Sequence, residues 1–170
     1  MPVTDPGWLY DLCERALDVA ASALPDNPDR QVVYPARPPD DISDQGCASQ
    51  LAVWVEQAYP AGAGTQRTSR SSNRCHLLRA VRLRLRWVAC FPSLDDQAAP
   101  PAVADINAAT AALLETGWRI QNALADGYYG GSLLGAVADT VTALAAFTDM
   151  TPVGPSGGVA GVEIGMEITP

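Results

Sequence analysis

Val81-Arg82-Leu83-Arg84-Leu85-Arg86-Trp87 alternates apolar and basic side chains over seven consecutive positions. A period of two belongs to a β-strand, because successive side chains point to opposite faces, and no helix produces it. One face of this strand must enter a core. The other sets three guanidinium groups in a row.

Three further strands follow from that one. Near the end of the chain Val162, Ile164, Met166 and Ile168 alternate with Glu163, Gly165 and Glu167. Placed beside the arginine strand, this segment sets carboxylates against guanidiniums, a favourable cross-strand arrangement. Such a closing strand makes sense only if it joins a sheet, in this subunit or in the next. Leu51, Val53 and Val55 alternate with Gln50, Ala52, Trp54 and Glu56 up to Tyr59-Pro60, and Gln31-Val32-Val33-Tyr34 is a short strand ended by Pro35. The expected fold is α/β (α+β): a mixed sheet near Val33, Val53, Leu83 and Ile164, packed against two or three helices in a single domain.

Two helices are legible. Thr4-Asp5-Pro6 reads as a helix start, and Leu9, Leu12, Cys13, Ala16, Ala20 and Leu24 recur at helical spacing until Pro25. Pro100-Pro101 opens a longer one, with Ile106, Ala109, Leu113, Gly117, Ile120 and Leu124 as its apolar stripe and Asp126-Gly127 as its end. Gly117 inside this helix costs about 1 kcal/mol relative to alanine, which points to close packing there. Ala136 to Phe147 fits either a short helix or a strand. Thr151 to Gly158 reads as a Gly/Pro linker, so residues 1–150 form the body and 151–170 a linker and closing strand of the same domain. Ala61 to Asn73 carries no apolar anchor and reads as a long loop holding Arg67 and Arg70, with Arg74 just beyond it.

The 170 residues are 48 % hydrophobic and 18 % charged, enough apolar material for a core and too much for a disordered chain. No apolar run approaches the ~18–20 residues of a membrane span. Met1-Pro2-Val3-Thr4-Asp5-Pro6 is unlike a secretory signal, so a soluble intracellular chain is expected, with no membrane partner. The net charge is −8, every base is an arginine, and His76 is the single histidine. A lysine-dependent phosphate loop, a Schiff-base lysine and a multi-histidine metal site are thereby excluded.

The charge is unevenly placed. No acid lies between Glu56 and Asp95, whereas Arg67, Arg70, Arg74, Arg79, Arg82, Arg84 and Arg86 do, making that segment +7 and the remainder −15. A basic face that meets an acidic one, within the molecule or in a neighbour, and a solvated basic edge are both open readings. Arg82, Arg84 and Arg86 are the candidate interaction surface, with Glu163 and Glu167 as candidate partners inside the subunit. If those glutamates satisfy the strand's arginines, the surface role passes to Arg67, Arg70 and Arg74.

Catalytic and metal chemistry find little support. Cys13, Cys47, Cys75 and Cys90 are too far apart for a paired zinc motif, and Cys13, Cys47 and Cys90 read as small buried hydrophobes. Gly130-Gly131-Ser132-Leu133-Leu134-Gly135 lacks the second glycine of a nucleophile elbow, and Cys75-His76 would point to opposite faces of a strand. The doublets Asp40-Asp41 and Asp95-Asp96 read as solvated turns. No catalytic, metal or cofactor residue is assigned.

The order of elements carries a resemblance. It runs from an amphipathic first helix and a short strand to Gln50-Leu51-Ala52-Val53-Trp54-Val55 after a Gly46-Cys47 turn. The arginine strand, an alanine-rich helix with Trp118, and a Gly-Pro-Ser-Gly-Gly segment before a closing strand complete it. This layout resembles the tail-terminator proteins of long-tailed (siphovirus-type) bacteriophages, especially those of high-GC actinobacterial hosts. The resemblance implies a mixed sheet against helices, assembled as a homohexameric ring in the neck of the virion. That ring sits on the tail tube protein, ends tube polymerisation and docks to the head–tail connector or stopper protein, with genomic DNA passing through the lumen. It implies a structural protein without cofactor or catalysis. A connector or stopper of the same neck region, and a small hydrolase using the acidic doublets, are the alternatives.

Overall fold

The computed structural model describes residues 7–38, 48–60, 79–93, 99–134, 144–156 and 158–169. In chain order these form α1 (Trp8–Ser22), β1 (Arg30–Tyr34), β2 (Gln50–Pro60), β3 (Arg79–Cys90), α2 (Val103–Tyr129), β4 (Leu144–Ser156) and β5 (Val159–Thr169). The five strands make one sheet in the order β1-β2-β3-β5-β4. β1 runs parallel to β2 and every other pair is antiparallel, so the sheet is mixed.

The arginine strand β3 lies at the centre, and the closing strand β5 is interior too, paired within the same subunit. On one face Val81, Leu83 and Leu85 line up with Leu51 and Val53 of β2 and with Ile164, Met166 and Ile168 of β5. Leu12, Cys13, Ala16, Leu17 and Ala20 of α1 cover this face, together with Ile120, Leu124 and Tyr128 of α2. Each large aliphatic residue so buried contributes roughly 1.5–3 kcal/mol relative to exposure. Both helices lie on that one face, which leaves the arginine side as the outer face of the sheet.

Local details correct several sequence expectations. The Thr4-Asp5-Pro6 start lies outside the described residues, and α1 begins with Gly7 at its cap position and no side-chain cap. α2 does not end at Gly127 but runs on to Tyr129. Gly127 serves packing instead, since a Cβ there would press on Val19 and Ser132, and the left-handed residue that follows the helix is Gly131. Gly117 is packed as closely as expected: a Cβ would lie 2.9 Å from Met150 Sδ and 3.0 Å from Val162 Cγ2.

The supposed linker is a strand. Thr151 to Ser156 forms the second half of β4, and Leu144 to Phe147 belongs to its first half. Pro152 and Pro155 are tolerated because β4 is an edge strand, where a missing N–H need not break a ladder bond. Register shifts between Phe147 and Asp149 and between Val153 and Ser156 interrupt its pairing and blunt that edge.

Cys13 is free and buried, as expected, but Cys90 is exposed and disulfide-bonded, its partner lying outside the described residues. Cys90 is therefore not a small buried hydrophobe. Cys47, Cys75 and His76 also lie outside the described residues.

Candidate functional site

The outer face of β3 carries a ladder of ion pairs. Register sets Arg82 opposite Glu167 and Arg86 opposite Glu163 on β5. Arg82 donates from Nη2 to Glu167 Oε2 at 2.9 Å. Arg86 donates from both Nε and Nη2 to Glu163 Oε2, at 3.2 and 3.0 Å. The two glutamates read from the sequence are thus where the alternation put them.

Arg84 is handled differently. Its partner across the ladder is Gly165, which has no side chain, and Asp149 of β4 reaches over that glycine to accept from Arg84 Nη1 at 2.5 Å. A Cβ at Gly165 would overlap Thr148 Oγ1 and Asp149 Oδ1 and crowd the Arg84 guanidinium, so the gap in the glutamate row is what admits the third carboxylate. Glu56 completes the set from β2, 3.2 Å from Arg84 Nε and 3.9 Å from Arg82 Nε. It sits at a β-bulge, between Val55 and Gln57 in the register.

Three guanidiniums therefore share four carboxylates. Burial works against the charge of Arg84, but bonds to Asp149 and Glu56 outweigh it and hold the guanidinium above its ordinary value. Burial likewise pushes the Asp149 carboxyl up, and hydrogen bonds from Thr148 and Arg84 carry it below the usual range. Arg86 is the deepest member at 1 % exposure, with its guanidinium carbon 5.5 Å from the centre of the Trp54 ring.

Glu167 and Glu163 hold Arg82 and Arg86, and Asp149 with Glu56 holds Arg84, so the strand's arginines are satisfied internally and the surface role passes to Arg67, Arg70 and Arg74. Those three lie outside the described residues. Sequence reading missed Glu56 and Asp149 as members of the ladder. Glu56 shares the period-two phase of Trp54 and was accessible to it; Asp149 follows a register shift that no alternation announces.

Beside the ladder the outer face holds a cleft of ≈ 480 Å³, lined by Arg37, Arg84, Arg86, Asp149 and Glu163 with apolar walls at Val88, Val153 and Val159. Its two carboxylates are engaged by Arg84 and Arg86. Asp40-Asp41 and Asp95-Asp96 lie outside the described residues. Ser132 is exposed and donates to the Gly127 carbonyl at 3.1 Å, closing the turn after α2. Among the described residues no three His, Cys, Asp or Glu side chains gather to hold a metal ion, and no helix is long and apolar enough to cross a membrane.

A second surface lies on the helical layer. Val103, Leu114, Trp118 and Tyr129 of α2 are exposed, Trp118 to 59 % and Tyr129 to 81 %. Ala104, Ala108, Ala111 and Ala112 are exposed with them, so the first turns of α2 present an apolar, small-residue surface. Val103 and Tyr129 stand at opposite ends of the helix, whereas Leu114 and Trp118, four residues apart, share one face near its middle. Comparison of the chain with protein-family models and with curated proteins finds no match.

Proposed function

We propose that the chain is a structural virion protein, the tail terminator of a long-tailed bacteriophage. Six copies form a ring of about 107 kDa, closed through heterologous contacts between subunits. The ring caps the tail tube, ends its polymerisation and docks to the head–tail connector. Genomic DNA passes through its lumen without sequence-specific contact, for which a chain of net charge −8 is suited, since phosphate affinity grows with each basic contact. The protein works in the virion neck after assembly in the host cytoplasm, without cofactor or catalysis.

The observation that carries this reading is the exposed pair Leu114 and Trp118 on one face of α2, on a domain whose core is already closed by its own helices; exposed apolar side chains grouped in this way suit a protein neighbour. The order of elements from which the resemblance was drawn supports the same assignment.

The test is capping. Purified protein is added to growing tail tubes of the same phage, and tube length and tube ends are read by electron microscopy. Arrested growth with six-fold density at one end is expected. Tubes that lengthen unchanged refute the assignment, and binding to the connector alone assigns the chain to the neighbouring connector or stopper ring.

A further inference from the structure

We infer that the disulfide partner of Cys90 is Cys47, and that the bond clamps the chain entering β2 to the end of β3. The chain holds four cysteines, Cys13, Cys47, Cys75 and Cys90. Cys13 is free and sits in the core on α1. Cys90 is disulfide-bonded, so its partner is Cys47 or Cys75. The bond is independent of the ring reading above.

Reach decides between the two. β3 extends over twelve residues, Arg79–Cys90, so its ends lie roughly 35 Å apart. Cys75 precedes Arg79 by four positions, and four residues of extended chain cover at most ~14 Å. Cys75 therefore comes no closer to Cys90 than about 20 Å, whereas a disulfide needs Cα atoms within ~7 Å. Cys47 adjoins the other end of β3. β2 and β3 are antiparallel, so the start of β2 lies beside the end of β3, where Gln50 pairs with Val88. Continued two positions, that register brings Ala48 level with Cys90, and Cys47 is covalently next to Ala48. Hydrogen bonds hold the chain on this line. The Ser49 N–H donates to Asp29 Oδ2 at 2.7 Å, and the Arg30 N–H donates to the Ser49 carbonyl at 3.2 Å.

Such a clamp acts on the weakest part of the sheet. β1 and β2 are adjacent parallel strands, so the chain between Tyr34 and Gln50 must cross back along the length of β1. β1 is a five-residue edge strand and pairs in the sheet with β2 alone. A covalent tie from the entrance of β2 to the central strand fixes that crossover against the middle of the sheet. Cys90 is exposed, so a dithiol in solution can reach the bond. One thiolate of the dithiol attacks a sulfur and the Cys47–Cys90 bond breaks. The reagent closes into its own cyclic disulfide, and its two protons pass to the two cysteine thiols. The clamp is closed in an oxidising medium and open in a reducing one.

Non-reduced peptide mapping of the full wild-type chain tests the pairing. Free thiols are capped with N-ethylmaleimide in denaturant at acidic pH, which stops exchange, and trypsin is then added. Every base is an arginine, and Arg37 is not cut because Pro38 follows it. Cleavage therefore separates the three cysteines: residues 31–67 hold Cys47, 75–79 hold Cys75 and 87–119 hold Cys90. Mass spectrometry is expected to find 31–67 linked to 87–119, and 75–79 carrying one maleimide. A link from 75–79 to 87–119 overturns the assignment, and so does a chain capped at all four cysteines. Melting reads the clamp. For a closed loop from residue 47 to residue 90, Cys47→Ser and Cys90→Ser are each expected to lower Tm by roughly 8–16 °C. Dithiothreitol is expected to lower wild type equally and neither variant further, while Cys75→Ser melts as wild type does. Equal melting of reduced and oxidised wild type overturns the clamp.

Discussion

Changing Glu163 to glutamine isolates the most deeply buried charge among the described residues. Arg86 is 1 % exposed and donates from Nε and Nη2 to one oxygen of Glu163. Glutamine keeps the shape of glutamate and removes its charge, leaving a buried guanidinium beside a neutral amide. Breaking one side of a buried pair costs about 3–5 kcal/mol, because the remaining charge has lost its compensation. For a chain of this length each kcal/mol moves Tm by about 2–4 °C, so a fall of roughly 6–20 °C is expected. Replacing both partners, Arg86→Met with Glu163→Leu, removes the uncompensated charge and is expected to fall within about 1 kcal/mol of wild type, or above it. Urea unfolding followed by tryptophan fluorescence measures all three proteins, and Trp54 under the Arg86 guanidinium reports on the site directly. The double-mutant cycle then gives the coupling between the two residues. A loss below about 1 kcal/mol in Glu163→Gln would falsify the reasoning, for that is the scale of a solvated surface pair.

The Asp149 carboxyl is held below its ordinary value of 3.8, so its contribution to stability is present above that pH and is lost as pH falls through the lower folded value. Melting temperature is therefore expected to drop below about pH 4, and less steeply in Asp149→Asn; equal slopes in the two proteins would count against the Arg84–Asp149 bond. Gly165→Val is expected to lower stability by several kcal/mol, as its side chain overlaps Thr148 and Asp149 and displaces the Arg84 guanidinium, and a melting curve unchanged from wild type would contradict the packing. Gly117→Ala gains up to about 1 kcal/mol in helix propensity but presses on Val162 and Met150, so denaturant titration is expected to show a net loss. Burial pushes the Cys13 thiol up to about 11, so it is expected to resist thiol reagents at pH 8 until the protein is unfolded; rapid labelling of the native protein at Cys13 would contradict its place in the core.

Much of the fold was written in the alternation of β3 and β5. Seven residues of strict period two define which side of β3 enters the core, since a shift of one position would turn every arginine inward. The same logic brought Glu163 and Glu167 to Arg86 and Arg82, because opposite charges at matched spacing on two neighbouring strands can meet in only one register. Helices α1 and α2 were legible from their apolar stripes, and the close approach at Gly117 from a glycine that propensity alone does not explain.

Other features were decided only by the tertiary structure. β4 reads as a linker because proline and glycine are poor strand formers, yet its edge position removes the penalty that a central strand would impose. Asp149 joins the ladder through a register shift and a neighbour's missing side chain, two conditions set by strand order rather than by any local pattern. Glu56 reaches Arg84 because a bulge turns β2 at that residue. The cleft and the apolar face of α2 likewise exist only after sheet and helices are stacked. A residue's own sequence neighbours determine its phase along a strand or helix, whereas which charge it meets, and whether it ends in a core or on a surface, is set by elements that arrive from elsewhere in the chain.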